Sequence, residues 1–232
     1  MTAILSNLQA ARKAIVQATK TANRNVADVR LLAVSKTFPA EAVREAYQAG
    51  QLAFGENYLQ EALDKIGELR DLPLEWHFIG PIQSNKTRPI AENFAWVHSV
   101  DRLKIAERLS AQRPPHLPPL NICLQVNVSG EQSKSGVAAE EVMQLALEIA
   151  SLPHLKLRGL MAIPSPATDE IAQRIPFARM RAMLEMLNSQ GMMLDTLSMG
   201  MSHDYPAAIH EGATIVRIGT AIFGDRTLGG EK

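Results

Sequence analysis

The stretches LLAVSK (residues 31–36), NICLQVNV (121–128) and IVRIGT (215–220) decide the fold. Each is too continuously apolar for a strand with one wet face, so each reads as a strand buried on both sides, as in a parallel sheet covered by helices. Five further runs lie between them: Ala53 to Asn57, Glu75 to Gly80, Trp96 to Val100, Leu157 to Ile163 and Thr196 to Met201. The intervening segments carry helical periodicity. Val43, Ala46 and Tyr47 share a face, as do Val142, Leu145, Ile149 and Leu152, and again Met180, Met183, Leu184 and Leu187. Eight strand–helix units in 232 residues predict an α/β chain, a single (β/α)8 barrel domain over residues 1–232. An open doubly wound sheet is the alternative, disfavoured because VSKTFP and not GxGxxG follows the first strand.

The first 27 residues lack Asp and Glu and carry Arg12, Lys13, Lys20 and Arg24, as an organelle transit peptide can. Ile4, Leu8, Ala11 and Ile15 nevertheless fall at helical spacing, which predicts an extra N-terminal helix laid on the core. The proline-rich RPPHLPP (113–119) has four units on either side and reads as a rigid spacer, because half a barrel would leave unpaired edges. At 46% hydrophobic and 21% charged residues, disorder is excluded. Lys plus Arg and Asp plus Glu balance at 24 each, so no overall field favours nucleic acid or an anionic membrane, and an anionic ligand must be held locally. No apolar run approaches the roughly 20 residues of a membrane span. The lone Cys123 has no disulfide partner and fits a reducing, cytoplasmic compartment. The short tail after Gly224 offers no obvious dimerising element, so a monomer is expected.

Active sites of such barrels lie at the C-terminal ends of the strands. There, Lys36 shares a strand face with Leu32 and Val34, so a barrel-lining Val34 would bring the lysine amine out at the mouth. A desolvated lysine beside another cation loses its proton more easily, and a neutral amine is what Schiff-base chemistry requires. Arg217 places a guanidinium inside an apolar strand, where its donors need acceptors; a buried ion pair with a barrel carboxylate is the plain alternative. Gly200-Met201-Ser202 and Gly219-Thr220 supply small-residue turns after strands seven and eight, with a short helix expected from about Asp204. Such loops form phosphate sites, although Ser202 could equally be an N-cap. Lysine, arginine and phosphate cradle together match the aldehyde, ring nitrogen and phosphate of pyridoxal 5′-phosphate (PLP). An arginine facing the ring nitrogen would donate to it and leave it unprotonated, which weakens the ring as an electron sink.

Other candidates weigh less. The six histidines include no HExxH and none pairs with Cys123 at ligand spacing, so no metal site is expected. Cys123 reads as a small core residue, and the methionines at 180 and 183 as core filling. SGEQSKSG (129–136) is only loosely like a phosphate loop and is expected to be a mobile loop over the barrel mouth.

The motifs LLAVSKTFP, FGENYLQEALDKI, EWHFIGPIQSNK, LRGLMAIP, LSMGMS and VRIGTAIFG, in this order, resemble the YggS/PROSC family of PLP homeostasis proteins nearly end to end. The resemblance implies the barrel of alanine racemase, with Lys36 as the Schiff-base lysine and Arg217 facing the pyridine nitrogen. It further implies Ser202, Gly219 and Thr220 around the phosphate, and Asn57 and His77 near the ring or its hydroxyl. It implies an intracellular PLP carrier that affects vitamin B6 and amino-acid pools and passes the cofactor to apo enzymes. A PLP-dependent racemase or lyase, or a class I aldolase using Lys36 directly, are the enzyme alternatives. Two departures stand out. The family usually reads SMGMSDD followed by Met-Glu or Leu-Glu, whereas this chain has His203, Tyr205 and Pro206; local retuning is expected, since proline suits a helix start. The few residues after Gly224 leave no room for the racemase β-domain that supplies a tyrosine base, so two-base racemization is not expected.

Overall fold

A computed structural model describes residues 2–131 and 135–224. The eight expected runs form strands β1 (Arg30–Val34), β2 (Ala53–Glu56), β3 (Glu75–Phe78), β4 (Trp96–Val100), β5 (Leu120–Gln125), β6 (Leu155–Met161), β7 (Thr196–Ser198) and β8 (Ile215–Ile218). They close in chain order into one parallel barrel, with Leu32 of β1 opposite Arg217 of β8. Several strands stop short of the apolar runs because the trailing residues, among them Ser35-Lys36, Asn57 and Ile79-Gly80, turn away into the loops of the mouth.

The outer wall is made by α2 (Ala40–Gln48), α3 (Leu59–Glu68), α4 (Thr87–Asn93), α5 (Leu103–Gln112), α6 (Val142–Ala150), α7 (Glu170–Ser189), α8 (Tyr205–His210) and α9 (Thr220–Phe223), preceded by α1 (Ala3–Thr21). Alternation along the strands splits the apolar residues into two layers. Ala33, Phe54, Phe78, Val97, Ile122 and Val216 face outward and pack on the helices. Leu32, Ala53, Trp96, Cys123, Met161 and Ile215 fill the barrel. The helical stripes also fall where expected, with Met180 and Leu187 of α7 and Val142, Leu145 and Ile149 of α6 buried.

The acid-free N-terminal segment is a helix whose Leu8 and Ile15 are buried, as its spacing predicts. Its cations have structural work. The Arg12 guanidinium donates to the carbonyls of Ala49 and Gly50 at the end of α2, both at 2.8 Å. Arg24 donates to Ile209 and Ala213 carbonyls at the end of α8, at 2.9 and 2.7 Å. Both satisfy helix C-terminal acceptors where positive charge is favoured. The proline-rich spacer is pinned by Arg113, which donates to Pro118, Ala91 and Phe94 carbonyls. Among the described residues no helix is long and apolar enough to cross a membrane, and no group of three His, Cys, Asp or Glu side chains is placed so that it could hold a metal ion.

Candidate functional site

β7, β8, β1 and β2 are consecutive around the barrel, so their C-terminal ends bring Ser202, Arg217, Gly219, Thr220, Lys36 and Asn57 to one sector of the mouth. Half-buried Lys36 leaves β1 through the turn at Thr37, whose φ of 69° is unusual for a β-branched residue. That turn is held from behind. The Thr37 amide donates to Glu61 Oε1 at 2.6 Å, and Lys65 Nζ donates to the Ser35 carbonyl at 2.7 Å, to Glu56 Oε1 at 2.8 Å and to Glu61 Oε1 at 2.5 Å. Ser35 Oγ adds a bond to Glu56 Oε1 at 2.6 Å. Burial pushes Glu56 up from the ordinary carboxylate range against the pull of Lys65, and its second oxygen, Oε2, is buried without a partner. Neither Glu56 nor Lys65 emerged as a candidate from sequence: Glu56 points out of the barrel, and only the return of α3 brings Lys65 to it.

Arg217 is buried, and among the described residues no carboxylate bonds to it. Nη1 donates to the Ser198 carbonyl at 2.6 Å and to Ser198 Oγ at 2.8 Å, and Nη2 donates to the Ala162 carbonyl at 2.9 Å. The alternative of a buried ion pair is therefore not what holds it. Of the five N–H donors of a guanidinium, these bonds use three, which leaves Nε–H and one Nη2–H without a protein acceptor among the described residues. Burial pulls its pKa down to about 10, so the group stays cationic near neutrality. On the β2 side, Asn57 Oδ1 is likewise buried without a partner. Asn57 lines a mouth cleft of about 250 Å³ with Ile79, Pro81, Gln125, Ser135 and Ile163. Its backbone is placed by Gly80, where a Cβ would come within 2.1 Å of the Asn57 carbonyl oxygen.

The two small-residue turns pack as tightly as their composition suggests. Gly200 has φ of 93°, and a Cβ there would lie 2.6 Å from the Ala208 Cβ of α8. A Cβ on Gly219 would lie 3.1 Å from the Val34 carbonyl oxygen, so the end of β8 presses directly on the end of β1. Ser202 is half-buried beside Tyr205, Ile218 and Ala221, in a cleft closed by α1. The expected short helix starts at Tyr205, with Pro206 in its first turn, and Asp204 accepts from the Met201 amide at 2.6 Å. His203 is exposed, so this departure from the family pattern leaves the turn itself in place.

His77 lies lower than the resemblance suggested. It is fully buried inside the barrel, with Nδ1 2.9 Å from His98 Nε2 and Nε2 2.6 Å from Glu75 Oε1. Both ring nitrogens are thus committed to protein partners, and none is left for a polar contact at the mouth. His98 Nδ1 in turn lies 2.7 Å from Ser198 Oγ. The period-2 alternation places Glu75 with His77 and Trp96 with His98 on inward faces, a signal available in the sequence once the inward parity of β3 and β4 is set. Part of the loop over residues 129–136, including Lys134, lies outside the described residues, as do residues 225–232; Ser135 does border the mouth. Cys123 is fully buried, and burial pushes its thiol up to about 12.

A model of the alanine racemase N-terminal domain matches residues 6–227. The pyridoxal phosphate homeostasis protein of Pseudomonas aeruginosa is 64% identical over 229 residues, 99% of this chain and 98% of that one. The chain belongs to this family. The Escherichia coli K12 family member is 51% identical over 97% of this chain and 98% of its own. Among solved structures, PipY of Synechococcus elongatus with PLP bound is 39% identical, with a TM-score of 0.84 over 95% of this chain and all of that one. Alanine racemase of Corynebacterium glutamicum shares the fold alone, at 18% identity and a TM-score of 0.70, and this chain spans 63% of it.

Proposed function

We propose that this family member binds PLP at the β7–β8–β1–β2 sector of its barrel mouth and serves as an intracellular carrier or buffer of the cofactor. The observation that carries the reading is the complementary set of unused groups there. Arg217 keeps two N–H donors for a ring-nitrogen acceptor, and Asn57 Oδ1 is an unused acceptor for a ring hydroxyl. The glycine turns at 200 and 219 let backbone approach a phosphate closely, with the Ser202 and Thr220 hydroxyls as further donors. Lys36 supplies the amine that holds the aldehyde covalently. When bound, the cofactor supplies a reactive aldehyde and a moderate electron sink. Solved PipY with PLP bound, at 39% identity, supports the ligand, and the names of the homeostasis proteins support the cellular role.

The reading extends to delivery. The recipients are apo PLP-dependent enzymes, amino-acid pools shift through them, and the protein acts as a monomer in the cytoplasm without turnover of its own. The test is the absorption spectrum of the protein with PLP beside Lys36→Ala, before and after borohydride, followed by peptide mapping. A near-visible band that borohydride fixes onto Lys36 and the variant lacks is expected; a protein that stays colourless with PLP overturns the reading. Transfer of PLP to an apo enzyme, with no conversion of free amino acids, separates carrier from racemase or lyase.

A further inference from the structure

Arg217 sits at one end of a buried chain of polar groups that runs down the barrel interior. Its Nη1 donates to Ser198 Oγ at 2.8 Å. Ser198 Oγ is 2.7 Å from His98 Nδ1, His98 Nε2 is 2.9 Å from His77 Nδ1, and His77 Nε2 is 2.6 Å from Glu75 Oε1. Arg30 closes the lower end at 2.8 Å from the same Glu75 oxygen. The two ends fix the direction of every proton between them. A guanidinium only donates and an ionised carboxylate only accepts. Glu75 must therefore receive the His77 Nε2 proton, so His77 Nδ1 is bare and accepts from His98 Nε2–H. His98 Nδ1 is bare in turn and accepts the Ser198 hydroxyl proton, while the Ser198 lone pairs face Arg217. With both histidines neutral, the opposite order would set a bare His77 Nε2 against a carboxylate, two acceptors 2.6 Å apart.

We propose that Glu75, His77, His98 and Ser198 form a one-way hydrogen-bond chain that positions Arg217 for the ring nitrogen of the cofactor. Hydrogen bonds aligned head to tail polarise one another, so Ser198 is a stronger acceptor for Arg217 than an isolated hydroxyl. The surroundings keep both imidazoles neutral. They are completely buried, with Arg217 above and Arg30 below, and Arg158 stacks 4.7 Å from the centroid of Trp96, the ring that lies parallel to His77. Burial is the main cause that pulls both histidines below their ordinary range; Arg30 adds to it at both rings and Arg217 at His98, against the upward pull of Glu75 on His77. His98 and Ser198 are thus positioning residues, and His77 serves the site through them without touching the ligand.

This inference rests on PLP as the ligand, and its test separates the two. In the protein without PLP, long-range 1H–15N correlation of labelled histidines is expected to show two neutral Nε2–H tautomers among the buried rings at neutral pH. A buried imidazole that is cationic or Nδ1-protonated overturns the chain, with no variant needed. With PLP, Ser198→Ala is expected to keep Lys36 labelled by borohydride, to shift the absorption band, and to weaken affinity about tenfold, the scale of one charge-assisted bond. Ser198→Thr, which retains the hydroxyl, is expected to restore both. Loss of Lys36 labelling in the unsubstituted protein would sink the PLP reading and leave the tautomer result standing. Labelling with an unshifted band and unchanged affinity in Ser198→Ala would overturn the positioning role.

Discussion

The two buried histidines make stability depend on pH in a calculable way. His77 and His98 are fully buried and held below their ordinary pKa, whereas the other four histidines are exposed. In the unfolded chain each takes a proton near pH 6.5, and in the folded protein each resists it. The unfolded state therefore binds more protons as pH falls below that value, and stability present above it is lost on acidification. Between pH 7.5 and 5.5, a histidine that stays neutral when folded removes about 1.4 kcal/mol; His98, held well below its ordinary range, is the one expected to do so, and His77, pulled back up by Glu75, adds in the same direction. Glu56, raised by burial, acts in the opposite sense, so the comparison must be with a variant that leaves Glu56 in place. Urea unfolding without PLP at the two pH values, on the unsubstituted protein and on His98→Gln, supplies it. The variant is expected to lose about 1.4 kcal/mol less than the parent over this interval. Equal losses in both proteins, at equal m-values, would mean that His98 takes up its proton in the folded state, and the argument from burial would fail.

Gly80→Ala drives a methyl group into the Asn57 carbonyl and is expected to destabilise by about 1–3 kcal/mol and to weaken PLP binding, read by urea unfolding and fluorescence titration. Gly200→Ala combines a positive φ with a 2.6 Å approach to Ala208; PLP should lose more affinity than pyridoxal in side-by-side titrations, because the phosphate turn is what moves. Lys65→Met leaves the buried Glu56 carboxylate without its cation and is expected to cost about 3–5 kcal/mol, most of it recovered when Glu56→Leu is added, as paired denaturation curves would show. Cys123, its thiol pushed up to about 12 and fully buried, should react with a thiol reagent only after urea unfolding.

The barrel was legible because its signal is local. Continuous apolar strands such as LLAVSK and IVRIGT can only be doubly covered, and the eight runs close in sequence order. Lys36, Arg217 and the two glycine turns were legible for a related reason: they are polar or small residues at the ends of those strands. What escaped is long-range. The bond from Lys65 to Ser35 joins a helix to the end of a strand three elements earlier, and the bond from His98 to Ser198 crosses the barrel between residues a hundred positions apart. The position of His77 illustrates the limit. Its motif placed it near the site, but the register of β3 sets it two residues below the mouth level of Ile79, where Glu75 and His98 claim both nitrogens.

The acceptors chosen for Arg217 bear on what the site can do. Two backbone carbonyls and a hydroxyl take three of its donors without neutralising it, whereas a carboxylate bonded to it would have cancelled the charge. Asp204 lends only a Coulombic pull and spends its own hydrogen bond on the Met201 amide. In the proposed PLP site a full cation would therefore face the ring, and a proton on the ring nitrogen would meet a second positive charge with little solvent to screen it. The ring nitrogen is expected to stay unprotonated over the physiological range. A ring held in that state withdraws electrons less strongly from a bound amine than a protonated one. With PLP bound as proposed, this arrangement would favour holding and releasing the aldehyde over driving carbanion chemistry on it.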